Sequence, residues 1–169
     1  VLPNGGSLTP AMFPILLYGL RWGLPRGLIA GFVFGLLQLI FDGAYAWGWQ
    51  SMLLDYLVAF TVLGLGGIFR NKIAGTGLSL MLGSIVALSA RYVAHILSGY
   101  ILFSGWAEWF FTQDGFPAWG AGLAASLSPT ALGWVYSVVY NGMYMIPEIV
   151  ITAVAAAFVS AIPQIKKYD

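Results

Sequence analysis

Long apolar runs, separated by short polar breaks, are the feature that most constrains this chain. Five such runs can be read between the breaks, at 9–21, 24–41, 50–69, 75–104 and 133–162. A helix that crosses the hydrocarbon core of a bilayer needs about 20 mostly apolar residues. Charged side chains make up only 8% of the 169 residues, which is too few to cover a water-soluble domain of this size. The pattern therefore predicts an all-α integral membrane protein, with residues 1–169 forming a single transmembrane helical bundle.

The same composition excludes several functional classes. The chain has no cysteine, which excludes disulfide scaffolds and thiolate chemistry, and its net charge of +1 argues against a nucleic-acid binder with a basic face. The sequence contains one histidine and no P-loop, H-E-x-x-H motif or nucleophile elbow. We therefore expect no enzymatic activity, no metal site and no cofactor. Binding, translocation and structural roles remain.

The basic residues predict how the chain is oriented. Six of the seven lie in one set of loops: Arg21, Arg26, Arg70, Lys72, Lys166 and Lys167. The opposite loops hold Asp42, Glu108 and Asp114 and no basic residue. By the positive-inside rule the first set is cytoplasmic, so we expect a multi-pass protein of the cell membrane with a cytoplasmic C-terminus and extracytoplasmic residues 1–8. An external N-terminus beginning with Val1 also leads us to expect a further helix before it, giving six spans; a five-span protein is the alternative.

Small residues recur at helical spacing on two of the predicted spans. Gly27, Gly31 and Gly35 form one ridge, and Ser79, Gly83 and Ala87 form another. In lipid, small residues let helix backbones approach closely and gain van der Waals contact. The ridges predict tight packing, either within this chain or against another membrane protein.

Ionisable residues inside the apolar runs are the most informative. A charge near the bilayer centre costs at least about 2.5–3.5 kcal/mol, so one that is kept usually faces an interior or a cavity. Four such positions occur: Asp55, Arg91, His95 and Glu148. Arg91 and Glu148 fall nearest the middle of their spans. We expect them to form a structural ion pair, with Asp55 as the competing partner of Arg91.

The remaining polar residues converge at the outer end. The predicted span directions bring Asp55, His95, Tyr136 and Asn141 to the same depth, and many of the tyrosines and tryptophans fall at that end too. Aromatic faces attract a cation, and a buried carboxylate neutralises its charge. The sequence therefore predicts a site for a flat organic cation near the external face.

Several short strings together resemble the thiamine-specific substrate-binding component, or S component, of energy-coupling factor (ECF) transporters, the ThiT family. The strings are PNGGSLT at 3–9, LRWGLPRGLIAG at 20–31, DGAY at 42–45, LLDYLVAF at 53–60, RYVAHILSG at 91–99 and YSVVYNG at 136–142. The resemblance covers nearly the whole chain. It implies the ECF S-component fold, a six-helix bundle from which the first helix is missing here, with residues 1–8 as a lid-like loop.

The resemblance also implies a set of thiamine-binding residues. Carried over by motif, these are Asp55, Tyr56, His95, Tyr136, Asn141, Tyr45 and Phe103. Two of them depart from the family pattern: Asp55 stands where the family typically has the longer Glu, and Phe103 aligns with a tryptophan. Both departures concern the identity of the ligand more than its class.

The function implied by the resemblance is high-affinity thiamine capture for an ABC-type vitamin importer. The S component has no ATPase of its own and docks onto a transmembrane coupling protein that carries two ATP-hydrolysing subunits. Three alternatives stay open: capture of a thiamine precursor such as hydroxymethylpyrimidine, a proton-coupled carrier in which Arg91, His95 and Glu148 relay protons, and a structural membrane subunit.

Overall fold

The computed structural model describes residues 10–41, 47–73, 75–159, 162 and 165, and within these ranges it is helical and contains no β-strand. A 3₁₀ turn at Pro10–Met12 leads into the first helix. The α-helices of the chain, in order, are α1 (Phe13–Trp22), α2 (Leu24–Phe41), α3 (Trp49–Ser51), α4 (Ala59–Thr61), α5 (Thr76–Phe103), α6 (Ala107–Thr112), α7 (Trp119–Ser126) and α8 (Pro129–Val159).

Among the residues that the structure describes, four helical stretches are long and apolar enough to cross a membrane. They are Leu24–Phe41, Trp49–Gly67, Thr76–Thr112 and Pro129–Val159. The predicted all-α helical membrane architecture is confirmed. α1 has only ten residues and packs beside α2 and the Trp49–Gly67 stretch, which we call the third span.

The third span changes helix type along its length. After α3, residues Met52–Val58 form a π-helix, and after α4, residues Val62–Gly67 form a 3₁₀ helix. A π-helix has a wider turn than an α-helix and is often found at functional sites. The glycines of the 3₁₀ segment leave no side chains between backbones, so neighbouring helices can come close. Asp55 lies in the π-helix, in the middle of this irregular stretch.

The glycine ridge of α2 packs against the third span. Gly27, Gly31 and Gly35 are buried, and a Cβ atom on Gly31 would lie only 3.0 Å from the carbonyl oxygen of Thr61. On α5, Ser79, Gly83 and Ala87 are buried as well, and Gly83 faces the backbone of the 3₁₀ segment. Both ridges therefore pack within this chain.

The two longest helices, α5 and α8, form the most extensive contact of the bundle. Large apolar side chains between the elements are fully buried, among them Leu16, Leu63, Leu88 and Met145. Beyond the end of α5, α6 and α7 place a second apolar cluster over the first turns of α8, with Phe110 and Phe111 at its centre. The aromatic, glycine-rich stretch between α5 and α8 thus folds into two short helices, α6 and α7, which cover one end of the bundle.

Candidate ligand-binding site

A cavity of about 190 Å³ lies between the third span, α5 and α8. Its walls are formed by Asp55, His95, Ser98, Gly99, Phe103, Tyr136, Tyr140, Asn141 and Tyr144. An engineered cavity of about 150 Å³ in another protein holds benzene. By that measure this cavity has room for one aromatic ring.

Asp55 is the negative group of the cavity, and three side chains hold its carboxylate. The hydroxyls of Ser51 and Ser98 donate to Oδ2 at 2.8 and 2.6 Å, and Nδ1 of His95 lies 3.0 Å from Oδ1. An ionised carboxylate can accept about four hydrogen bonds. The contacts fix the orientation of Asp55 and leave it room for a donor from a ligand.

His95 stands between this carboxylate and Tyr144. When Nδ1–H donates to Asp55, the other ring nitrogen, Nε2, is an acceptor. Nε2 is buried and has no hydrogen-bond partner within the described ranges. The ring of Tyr144 meets the imidazole edge to face, with centroids 6.0 Å apart. Since buried polar atoms normally have partners, Nε2 is a candidate contact for an N–H or O–H group in the cavity.

Asn141 joins α5 to α8 at the cavity wall. Its Nδ2 donates to the carbonyl oxygens of His95 and Ser137 at 3.1 and 2.9 Å, and its Oδ1 accepts from the hydroxyl of Tyr144 at 2.6 Å. Gly99 permits this contact, because a Cβ atom there would lie 2.8 Å from Asn141 Nδ2. Because both amide hydrogens of Asn141 donate to groups within the protein, only its Oδ1 can accept a further hydrogen bond from a ligand.

Aromatic rings line the end of the cavity that lies nearest to α6 and α7. Tyr136 and Tyr140 lie 5.7 Å apart between centroids and present tilted faces. Phe110 of α6 meets both rings edge to face, with centroids 5.1 and 6.0 Å away. A carboxylate at one side and ring faces at the other form a suitable environment for a flat, positively charged group.

The predicted site residues divide into three groups in the structure. Asp55, His95, Phe103, Tyr136 and Asn141 line the cavity. Tyr56 packs against the main apolar core and does not belong to the cavity wall. Tyr45 and the lid-like loop at 1–8 lie outside the described residues.

Arg91 and Glu148 also meet, but away from the cavity. Arg91 Nη1 lies 3.6 Å from Glu148 Oε2, and the two side chains are 10% and 3% exposed. The guanidinium lies over the ring of Phe60, 4.7 Å from its centroid, and also contacts the sulfur of Met12. Asp55, the competing partner in the sequence prediction, contacts His95 instead.

Five residues that border or support the site are not among the predicted site residues. Ser51 precedes Asp55 by four residues, and Ser98 and Gly99 follow His95 by three and four. Tyr140 follows Tyr136 by four residues, and Tyr144 follows Asn141 by three. These spacings bring side chains to one face of a helix. Helical spacing around each predicted site residue was the signal that could have found them.

Comparison with known proteins identifies the family. The family model described as thiamine transporter protein (Thia_YuaJ) matches residues 1–119. The chain is 32% identical to the thiamine transporter ThiT of Bacillus subtilis strain 168, over 99% of this chain and 82% of that protein. It is 28% identical to the thiamine transporter ThiT of Lacticaseibacillus paracasei strain ATCC 334, over 94% of this chain and 76% of that protein. The chain belongs to the thiamine transporter family.

Membership in the thiamine transporter family confirms the resemblance drawn from the sequence strings. Together with the four long apolar helices, it identifies the chain as a multi-pass membrane protein. The curated relatives are named as transporters rather than enzymes. The family match ends at residue 119, whereas the two relatives align through α8, which supplies Tyr136 and Asn141 to the cavity.

Proposed function

We propose that this chain captures thiamine outside the cell as the substrate-binding subunit of an ECF-type vitamin importer. The observation that carries the proposal is the carboxylate of Asp55, held by Ser51, Ser98 and His95 at the wall of a ring-sized cavity. Family membership and the names of both curated relatives support thiamine as the cargo.

The chemistry of thiamine matches the polar groups of the cavity. Its aminopyrimidine ring carries an exocyclic amine that can donate a hydrogen bond to Asp55. This amine, or another group attached to the same ring, can come within hydrogen-bond distance of Nε2 of His95. Its thiazolium ring carries a delocalised positive charge. A ring of this kind gains about 0.5–2 kcal/mol from each aromatic face it contacts, and Tyr136 and Tyr140 offer such faces. Tyr45 and Tyr56 stay predicted contacts from the family motif.

We also propose the orientation and the partners. The end of the bundle with Arg21, Arg26, Arg70 and Lys72 is cytoplasmic by the positive-inside rule, which makes the end with the cavity extracytoplasmic. The sequence contains no P-loop, and the family resemblance assigns ATP hydrolysis to two partner subunits that are bound to a transmembrane coupling protein.

A second candidate cargo is hydroxymethylpyrimidine. The cavity of about 190 Å³ suits one ring, and a pyrimidine without the thiazolium keeps every contact proposed for Asp55 and His95. It loses only the attraction between the positive charge and the tyrosine rings.

Tryptophan fluorescence of the purified protein in detergent tests these cargoes. Thiamine, hydroxymethylpyrimidine and riboflavin are titrated separately, with Asp114→Asn, an exposed carboxylate, as the control variant. Saturable quenching by thiamine at submicromolar concentration, equal in the control, supports thiamine capture. Quenching by hydroxymethylpyrimidine alone changes the cargo. No response from a folded sample contradicts the proposal and favours a structural subunit. Uptake into vesicles that follows a proton gradient without ATPases favours the proton-coupled carrier instead.

A further inference from the structure

A second and larger cavity lies at the opposite end of the bundle. Its volume is about 390 Å³, and it is bounded by the end of α1, the turn after the third span and the first turn of α5. Its polar wall is formed by Arg21, Arg70, Asn71, Thr76 and Ser79. Leu17, Leu20 and Ile165 add an apolar side. Neither the family match nor the thiamine cavity assigns anything to this space.

Among the described residues that line this cavity, the charged ones are both basic. Arg21 and Arg70 belong to the wall, and Arg26 and Lys72 lie at the same end of the bundle. The described carboxylates lie elsewhere: Asp55 borders the other cavity, Glu148 contacts Arg91, and Glu108 and Asp114 belong to the stretch between α5 and α8. Arg21 and Arg70 thus place two guanidinium groups on the wall of one cavity, and both can donate hydrogen bonds to the oxygens of one anion.

Two local features place hydrogen-bond donors at the wall of this cavity. Gly23 has a φ of 90°, and its missing side chain leaves space for Arg70, whose Nη1 would lie 3.3 Å from a Cβ atom there. α5, a helix of 28 residues, begins at Thr76 on the cavity wall. The N-terminus of a helix carries backbone N–H groups and partial positive charge, which favour an anion. Arginine, with its planar fork of donors, suits phosphate oxygens.

We propose that this cavity binds a phosphate group, and that the group is supplied by the headgroup of an anionic membrane lipid. Basic pockets between transmembrane helices on the cytoplasmic side are suited to such headgroups. In the orientation proposed above, on which this inference rests, the cavity lies at the cytoplasmic ends of the spans, where lipid headgroups are located, and its apolar side can contact the start of an acyl chain. A free phosphate compound is the other source of the same chemistry. The proposal does not depend on thiamine binding.

Native mass spectrometry of the protein with bound lipid tests this assignment. The protein is released from micelles that contain equal amounts of phosphatidylglycerol and phosphatidylcholine. We expect preferential retention of phosphatidylglycerol, falling about fivefold for each arginine removed in Arg21→Gln and Arg70→Gln. Arg26→Gln is the matched control, because Arg26 lies over the ring of Trp22 and does not line the cavity. It should retain the lipid as the unaltered protein does.

A second arm distinguishes the two sources of phosphate. The thermal unfolding midpoint is measured in lipid-free detergent with inorganic phosphate, and with chloride at equal ionic strength. A rise with phosphate that Arg70→Gln removes, without selective lipid retention, assigns the cavity to a soluble phosphate compound. Equal retention of both lipids with no effect of phosphate overturns the proposal, and so does an equal loss in Arg26→Gln. If Arg70→Gln is unstable without ligand, Arg70→Lys keeps the charge and should lose selectivity for phosphate only in part.

Discussion

The Asp55–His95 contact and the Arg91–Glu148 pair involve neighbouring turns of α5, since His95 follows Arg91 by four residues. Their surroundings differ. The side chain of Asp55 is 24% exposed and borders a cavity, whereas that of Glu148 is 3% exposed and lies in the core. Ionisable residues within the membrane are costly in both places. The comparison teaches that adjacent empty space, more than the charge itself, separates a binding group from a structural one.

The largest expected effect is on the stability of the protein, at the buried Arg91–Glu148 pair. Glu148→Ala removes the carboxylate 3.6 Å from Arg91 and should lower the free energy of unfolding by about 3–5 kcal/mol, because a buried charge loses its partner. Denaturant unfolding in detergent micelles measures this. The double variant Arg91→Met/Glu148→Leu removes both charges and should lie much closer to the unaltered protein. Normal stability of Glu148→Ala together with lost thiamine binding would move this pair into the binding site.

The second-largest expected effect is on the affinity for thiamine, at the Asp55–His95 contact beside the cavity. Asp55→Asn keeps the size of the side chain but removes its charge, so thiamine affinity should fall about 100-fold, as for other buried charged hydrogen-bond partners. The unfolding midpoint without ligand should change little. Fluorescence titration and thermal unfolding on the same preparation separate the two quantities. A variant that binds normally, or that unfolds before it can be titrated, contradicts the assigned role of Asp55.

A smaller loss is expected from the serine that donates to Asp55. Ser98→Ala removes a 2.6 Å hydrogen bond to the carboxylate and should weaken thiamine binding about tenfold, because the anion is less well oriented. Ser84→Ala is the matched control on the same helix: Ser84 is buried outside the cavity, and its hydroxyl has no hydrogen-bond partner among the described residues. Equal affinities for the two variants would show that Ser98 does not position Asp55.

The smallest effect is expected at Tyr144. Tyr144→Phe removes the donor to Asn141 Oδ1, a neutral hydrogen bond worth about 0.5–1.5 kcal/mol, so affinity should fall only about threefold. Tyr92→Phe removes a hydrogen bond to the carbonyl of Val138 outside the cavity and should leave affinity unchanged. Isothermal calorimetry resolves a threefold difference. A larger loss in Tyr92→Phe than in Tyr144→Phe would contradict the cavity wall described above.

The depth of ionisable residues along each span was enough to bring Asp55, His95, Tyr136 and Asn141 together from the sequence. Depth does not define direction around the helix. Tyr56 follows Asp55 directly, and because consecutive helical residues do not share a face, its ring packs against the apolar core. Its contact with the ligand stays a prediction from the family motif. The π-helix at Met52–Val58 could not be predicted either, because its apolar pattern does not differ from that of an α-helix.

Weakly polar residues were overlooked for a different reason. A serine in an apolar helix can donate to its own backbone and costs little, so its presence indicates nothing by itself. Ser51 and Ser98 are recognised as part of the site only because the structure shows that both donate to the carboxylate of Asp55. The helices α6 and α7 were also missed: the stretch with Glu108 and Asp114 was predicted to be a loop, whereas contacts of Phe111 and Phe116 with Trp119 stabilise helices there.

A structure of the protein determined with thiamine bound tests the central claim most directly. The account predicts density for the aminopyrimidine ring in the cavity of Asp55, with its amine about 2.7–3.2 Å from a carboxylate oxygen and a ring face toward Tyr136 or Tyr140. Thiamine in the arginine-lined cavity at the other end, or bound without contact to Asp55, would contradict it.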